Sequence, residues 1–392
     1  MIRFNGIDRL LYSPDTVPHR GNLRWGLVTN NAAITATGIL NRKELLKNGW
    51  NITRLFSPEH GLTAQAADGE KQGDTTDPLT GLPVSSLYGD RFAPSPEELS
   101  STDGILFDIP DAGCRFYTFL WTLTHVMEAC EKAGKPLVVL DRSNPAGLSP
   151  ELAEGPFLDE VHCSSFIGRW SVPVRHSSTL GELALYFRAS RLQRLDLTVI
   201  PCENPPAWPV TDPLLCNWTP PSPGIPEPVT ALLYPGMGLL EGININEGRG
   251  TTLPFRIFGA PFIRSAELAD DINALGLPGL TAIPFSYQPA WGEWANQWCQ
   301  GIQWLVTDAR QLRPVSAMLR VIRLLQQIYP AQLAQRKYVT NANPSGEGHL
   351  DRLLGQPDSW KKIENGSLLP QTNLQEEWAA IISPHRLYNV PQ

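Results

Sequence analysis

The chain contains 392 residues, a length that at about 100–200 residues per domain predicts two or three domains. Hydrophobic residues make up 42% and charged residues 18% of the chain, which is typical of a folded globular protein and excludes a disordered chain or a coiled coil. The net charge of −7, without clusters of Lys and Arg, argues against nucleic acid as a partner.

The first 200 residues alternate between short apolar runs and longer segments with helical spacing of apolar residues. This alternation is typical of right-handed βαβ units and predicts a parallel sheet domain over residues 1–200. Neither GxGxxG nor GxxxxGK[ST] occurs, so no nucleotide cofactor is expected. The predicted strands are residues 25–29, 52–56, 104–109, 136–140 and 197–200, and the predicted helices are 38–48, 119–133 and 180–192.

Residues 201–228 contain ten of the 36 prolines, too many for a regular element, and predict a connector between domains. A surface loop is favoured over the alternative that this connector forms the wall of a pocket.

Residues 229–392 predict a smaller α/β domain, with helices near 265–275, 315–328 and 374–382 and strands at 280–287 and 301–306. Trp291, Trp294 and Trp298 are spaced so that they would share one face of a helix. Core packing is favoured for this stripe over a platform for stacking sugars.

The N-terminus lacks the apolar segment of a secretory signal, and no apolar run approaches the roughly 18 residues of a membrane span. We therefore expect a cytoplasmic protein without a membrane partner. The six cysteines form no CxxC pair and the seven histidines form no HxxxH pair, so no bound metal is expected.

Polar side chains follow four of the predicted strands, where ligands bind in open parallel sheets. Asn30 follows the first strand and Glu59 and His60 follow the second. Carboxylates beside Arg and His at one sheet edge are suited to acid and base chemistry on a polar substrate. Glu59 is the favoured proton donor, and its alternative role is to compensate a helix dipole. The third strand is followed by Asp111 and Arg115, and the fourth by Asp141, Arg142 and Asn144.

Several of these residues also have structural interpretations. Asp111 and Arg115 are four residues apart and suit a local ion pair, and an isolated His176 is more often a hydrogen-bonded structural residue. The glycine-rich stretch 241–252 could present side chains to a ligand or could be a turn. Its polar candidates are Glu241, Asn244, Glu247 and Arg249.

Several motifs follow one another in order along the chain, among them FSPEHG (56–61), GEK (69–71), FDIPDAGCRFYTFL (107–120), DRSNPAG (141–147) and NEGRGTTLPF (246–255). Together the motifs resemble the bacterial DUF1343 family of NamZ-like exo-β-N-acetylmuramidases. The resemblance runs from about residue 6 to about residue 314. It implies a Rossmann-like parallel sheet domain followed by a smaller α/β domain, with a cleft between them. The implied activity is release of N-acetylmuramic acid (MurNAc) from the non-reducing end of peptidoglycan fragments, without metal or nucleotide.

The resemblance also implies roles for individual residues. Glu59 is the expected catalytic acid, and Asp111, Glu247 or Glu70 would supply the second carboxylate. Arg115, Arg142 or Arg249 would pair with the lactyl carboxylate of MurNAc. The remaining expected substrate contacts are Asn30, His60, Tyr117, Asp141, Asn144, His176, Glu241 and Asn244.

Two other functions compete with hydrolysis. A non-catalytic module that binds or senses muropeptides could use the same cleft. An acyl-transfer enzyme is disfavoured because the chain has no GxSxG motif.

Overall fold

The computed structural model describes residues 4–13, 16–17, 23–213, 217–340, 343–368 and 373–389. Two sheets organise these residues, one of seven strands and one of three. The larger sheet confirms the predicted parallel α/β domain, and all five predicted strands are present. Its strands are β1 (Trp25–Thr29), β2 (Ile52–Ser57), β3 (Thr75–Thr76), β4 (Pro83–Ser86), β5 (Gly104–Asp108), β6 (Leu137–Leu140) and β7 (Leu197–Ile200).

The strand order in the large sheet is β3-β4-β2-β1-β5-β6-β7. Every neighbouring pair is parallel except β3 with β4. The chain leaves β1 in one direction toward β2 and β4 and returns on the other side as β5. Because β1, β2 and β5 are parallel, the loops that follow them lie at the same carboxyl edge of the sheet. The reversal of chain direction between β2 and β5 marks the point on this edge where ligands bind in such sheets.

Helices cover both faces of the large sheet and continue through the rest of the chain. The predicted helices are present. The elements that were not predicted include the short strands β3 and β4, the strand Ile257–Ala260, and the helices Gly6–Tyr12, Pro96–Ser100, Pro228–Met237, His349–Leu354 and Ser359–Glu364. The helices are α1 (Gly6–Tyr12), α2 (Asn41–Lys47), α3 (Pro96–Ser100), α4 (Phe119–Ala133), α5 (Leu180–Ser190), α6 (Pro228–Met237), α7 (Ser265–Ala274), α8 (Pro314–Ile328), α9 (His349–Leu354), α10 (Ser359–Glu364) and α11 (Leu374–Ile382).

The smaller sheet consists of β8 (Ile257–Ala260), β9 (Leu280–Tyr287) and β10 (Cys299–Val306), in the order β8-β10-β9. Both pairs are antiparallel, so this domain differs from the first in strand direction. The tryptophan-rich segment between β9 and β10 is a loop, so the helical face considered for it does not exist.

One continuous apolar core joins the two sheets. It includes Phe107 and Leu120 from the first domain and Leu239 and Ile302 from the second, all of them buried. The other face of the large sheet packs a separate cluster around Trp25. Among the residues described, no helix is both long and apolar enough to cross a membrane.

Candidate active site

A cavity of about 260 Å³ lies between the two domains. It opens beside the loops after β2 and β5, at the carboxyl edge of the large sheet. Glu59 and Tyr117 line it from the first domain and Arg249 and Phe255 from the second. The cleft implied by the resemblance is therefore present.

Glu59 follows β2 by two residues and lies at the wall of this cavity. The turn depends on two successive residues with positive φ, His60 at 68° and Gly61 at 72°. Because His60 is not glycine, its left-handed backbone is uncommon and must be held in place by the surrounding turn. The turn buries the Glu59 side chain, which is only 4% exposed.

Both carboxyl oxygens of Glu59 accept hydrogen bonds. The Thr118 hydroxyl donates at 2.6 Å and the Gly69 backbone N–H at 3.0 Å. Burial nevertheless raises the pKa of Glu59 above its ordinary value, and the negative charge of Asp68 adds to the rise, although His60 opposes it. Burial thus shifts the Glu59 carboxyl group toward its protonated form.

Asp68 is the carboxylate beside Glu59, and the sequence reasoning missed it. Tyr338 donates a hydrogen bond to Asp68 at 2.6 Å, and the Arg249 guanidinium lies 3.6 Å away. Burial acts to raise the pKa of Asp68, but Arg249, His60 and the Tyr338 hydrogen bond together lower it below its ordinary value. The sequence signal that could have pointed to Asp68 is the GEK motif, which begins at the next residue, Gly69.

Arg249 is the centre of a buried charge cluster in the second domain. Its Nη1 lies 2.8 Å from Glu241 and 3.0 Å from Glu247, and its guanidinium lies over the ring of Phe255. Burial alone would lower the pKa of Arg249, but the surrounding carboxylates raise it, so the group stays charged. With Asp68, three carboxylates therefore surround this guanidinium.

The C-terminal segment supplies a wall that the sequence did not predict. Tyr338, Asn343, His349 and Arg352 all line the cavity. The ring of His349 stacks on that of Tyr338 with centroids 4.5 Å apart, and His349 Nε2 lies 3.3 Å from Glu241. Residues 330–392 had no recognisable motif, so only the folded chain reveals this contribution.

Two further parts of the cavity wall come from the proline-rich connector and the tryptophan-rich loop, for which a surface loop and core packing were expected. Ser222 to Ile225 of the proline-rich connector line the cavity, so the connector is not only a surface loop. Trp291 also lines it and is 52% exposed, which contradicts core packing for this residue. Trp298 is 69% exposed, and only Trp294 packs against the core.

Glu59, His60 and Asp68 place one ligand atom each within 4.8 Å of one another and could together hold a metal ion. The oxygens of Glu59 are already hydrogen-bonded, and His60 Nδ1 donates to the carbonyl of Ala66 at 2.9 Å. These bonds favour a proton-transfer cluster, and the absence of a metal cofactor stays a prediction.

Two arginines predicted as substrate contacts lie outside the cavity. Arg115 is fully buried and donates to the carbonyls of Pro156, Val172 and Leu353. Burial lowers the pKa of Arg115 to about 10. Arg142 instead binds Asp108, with Nε 2.6 Å from the carboxylate.

The residues that follow β6 and β1 have structural partners as well. Asp141 accepts hydrogen bonds from Thr179 and the Gly181 backbone at the start of α5, and burial raises its pKa to about 6. Asn144 bonds to the backbone of Ala146 and Ser178, and Asn30 accepts from Ala32. A second cavity of about 70 Å³, lined by Asp111, Arg142 and Asn144, lies beneath the connector.

The remaining candidates are also separate from the Glu59 cavity. His176 is fully buried, with Nε2 3.3 Å from Asp111. Asn244 bonds to the backbone of Gln332 and Ala334, and Glu70 is exposed. Glu247 lies behind the cavity wall, bound to Arg249. Of the predicted residues, the cavity brings together Glu59, His60, Tyr117, Glu241 and Arg249.

Comparison with known proteins identifies the family. The profile "Exo-beta-N-acetylmuramidase NamZ, N-terminal" matches residues 25–229, and the corresponding C-terminal profile matches residues 232–385. The chain belongs to the NamZ family. It is similar to the peptidoglycan β-N-acetylmuramidase NamZ of Bacillus subtilis (strain 168), with 38% identity over 364 residues, which cover 92% of this chain and 84% of that protein.

Two crystal structures of DUF1343 family proteins from Bacteroides fragilis NCTC 9343 share the fold. One has a TM-score of 0.84 and 27% identity and covers 99% of both chains. The other has a TM-score of 0.70 and 25% identity and covers 98% of this chain and 99% of its own. In this NamZ family member, Glu59 lies in the part matched by the N-terminal profile and Arg249 in the part matched by the C-terminal one.

Proposed function

We propose that this chain is an exo-β-N-acetylmuramidase that releases MurNAc from the non-reducing end of peptidoglycan fragments. The bond hydrolysed is MurNAc-β-1,4-GlcNAc, where GlcNAc is N-acetylglucosamine. The observation that carries the proposal is a cavity in which burial raises the pKa of Glu59 while its neighbour Asp68 has a lowered pKa. Glycoside hydrolases use two carboxyl groups with opposite pKa shifts, one as a proton donor and the other as an ionised nucleophile or base.

Each carboxyl group has a distinct step in the proposed reaction. Glu59 donates its proton to the glycosidic oxygen as the bond from that oxygen to C1 breaks. Asp68, ionised and with a side chain that is 28% exposed, attacks C1 and forms a glycosyl ester. The Glu59 carboxylate then takes a proton from water, which hydrolyses the ester and frees Asp68.

The spacing of the two carboxyl groups favours this double displacement. An oxygen of Glu59 and one of Asp68 lie within 4.8 Å. Retaining glycosidases hold their carboxyl groups about 5–5.5 Å apart, whereas inverting enzymes need about 6.5–9.5 Å to admit a water. We therefore propose that the released MurNAc keeps the β configuration.

Turnover of MurNAc-GlcNAc by purified protein tests the proposal, with the anomer of the product read by proton NMR. Glu59→Gln removes the acid but keeps the volume of the side chain, and we expect kcat to fall by about 10²–10⁴-fold. Glu267→Gln is the matched control, because Glu267 is exposed on α7 and lies outside the cavity, and it should keep wild-type turnover. Unchanged turnover in Glu59→Gln would refute the assignment.

The alternative is a binding module that uses the same cavity. It would bind MurNAc in a calorimeter and release no product from the disaccharide. The exposed Trp291 at the cavity is compatible with either function, and the opposite pKa shifts of Glu59 and Asp68 favour catalysis.

A further inference from the structure

A cation that is free to bind it is the strongest partner that a protein can offer the lactyl carboxylate. The buried Arg249 is surrounded by Glu241, Glu247 and Asp68, so its charge is already compensated inside the protein. A substrate carboxylate beside it would face these three carboxylates at close range. Such like-charge contacts are unfavourable in a buried site.

Arg352 differs from the other arginines near the site. It lines the cavity, and its guanidinium forms no ion pair or side-chain hydrogen bond with any residue that the structure describes. The side chain is neither fully buried nor fully exposed. It is thus a cation within reach of both the cavity and the solvent, and no side chain in the described part of the chain occupies its hydrogen-bond donors.

The backbone that carries Arg352 is held firmly. Helix α9 packs against the short 3₁₀ helix Gly238–Gly242, which carries Glu241. Arg115 reaches from the first domain and donates to the carbonyl of Leu353, the next residue, at 2.9 Å. The fully buried Arg115 therefore fixes the helix that presents Arg352.

We propose that Arg352 binds the carboxylate of the lactyl ether on the terminal sugar and thereby selects MurNAc over GlcNAc. The inference rests on the proposed function and adds the residue that determines its specificity. A planar guanidinium donates two parallel hydrogen bonds to a carboxylate, a geometry that Lys cannot reproduce. GlcNAc lacks the lactyl group and leaves the guanidinium unpaired.

The test compares two substrates, MurNAc-GlcNAc and the same disaccharide with its lactyl carboxylate converted to a carboxamide. Arg352→Gln should lower kcat/KM for the acid by about 10- to 100-fold, mainly through KM, because a charge-assisted contact is lost. The loss on the carboxamide should be much smaller. Arg352→Lys should restore part of the activity on the acid.

Lys361→Gln is the control variant, because it removes one positive charge from an exposed position of the same C-terminal segment. It should leave both substrates at wild-type rates. Equal losses of Arg352→Gln on acid and carboxamide, or a loss on the acid under about twofold, would overturn the role of Arg352.

The failure of the proposed function has a different signature. If wild-type protein hydrolyses neither disaccharide, the exo-muramidase proposal fails. Calorimetric binding of free MurNAc to wild type and Arg352→Gln then still measures the carboxylate contact. Weaker binding by the variant would support the role of Arg352, and equal binding would refute it.

Discussion

The carboxyl groups of Glu59 and Asp68 are neighbours, but their surroundings shift their pKa values in opposite directions. Burial raises the pKa of Glu59, whereas Asp68 is stabilised as an anion by Arg249 and by the hydroxyl of Tyr338. The proposed reaction requires protonated Glu59 and ionised Asp68. The rate should therefore fall as pH rises through the raised pKa of Glu59 and as pH falls through the lowered pKa of Asp68.

Two substitutions should move the alkaline limb of the pH dependence of kcat/KM in opposite directions. Asp68→Asn removes a negative charge that raises the pKa of Glu59, so its residual activity should decline at lower pH than that of wild type. Thr118→Val removes a hydrogen bond that lowers this pKa, so its alkaline limb should move to higher pH. An unchanged alkaline limb in both variants would contradict Glu59 as the acid.

At the same scale, the sequence was enough to place Glu59 at the cavity, because the features that put it there are local. A strand end, a positive-φ turn and a distinctive motif all lie within a few residues. Asp68, Tyr338 and Arg352 gain their roles from contacts between segments far apart in the chain. Arg115 and Arg142 lie in distinctive motifs too, but only packing shows that backbone carbonyls and Asp108 occupy their donors.

Among the elements, β1, β5 and β6 were predictable because they are buried and rich in branched apolar residues, and β2 and the more exposed β7 were recognisable from the same apolar composition. β4 was missed because it is short and reads Pro-Val-Ser-Ser, without an apolar run. The segment between β9 and β10 was open to a helical interpretation from its spacing, but Gly292 and Asn296 adopt positive φ within it and favour a loop. Spacing alone does not distinguish a helix from such turns.

The loop between β9 and β10 gives a prediction of its own. It packs on the glycine-rich loop, where a Cβ at Gly250 would lie 2.4 Å from the carbonyl oxygen of Trp291. This contact holds the Trp291 ring, half exposed, at the cavity. We expect Trp291→Ala to raise KM for MurNAc-GlcNAc by about 3- to 10-fold with little change in kcat, because a stacking contact of about 0.5–1.5 kcal/mol is lost.

Steady-state kinetics with Trp298→Ala provides the comparison. Trp298 lies in the same segment, is 69% exposed and does not line the cavity. It should keep the wild-type KM. Equal KM values in the two variants would show that Trp291 does not contact the substrate.

On the scale of the whole molecule, the domains are tied together by more than the connector. Their apolar core is continuous, and the C-terminal segment returns to the first domain. Trp378 of α11 is fully buried and donates to the carbonyl of His176, and Arg386 forms an ion pair with Glu182 of α5. Composition and motifs predicted two domains but could not reveal these ties, which depend on contacts between distant parts of the sequence.

We therefore expect calorimetry to show one unfolding transition for the whole chain. Trp378→Ala should lower its midpoint and remove about 3–5 kcal/mol of stability, because a large buried side chain is replaced by a cavity. Trp378→Phe leaves a smaller cavity and should cost less, although it also loses the indole hydrogen bond to the carbonyl of His176. Because the contact between Trp378 and His176 joins the two domains, the substitution should lower the midpoint of the single transition without splitting it into two. Two resolved transitions in the wild type would show instead that each domain unfolds independently despite the shared core.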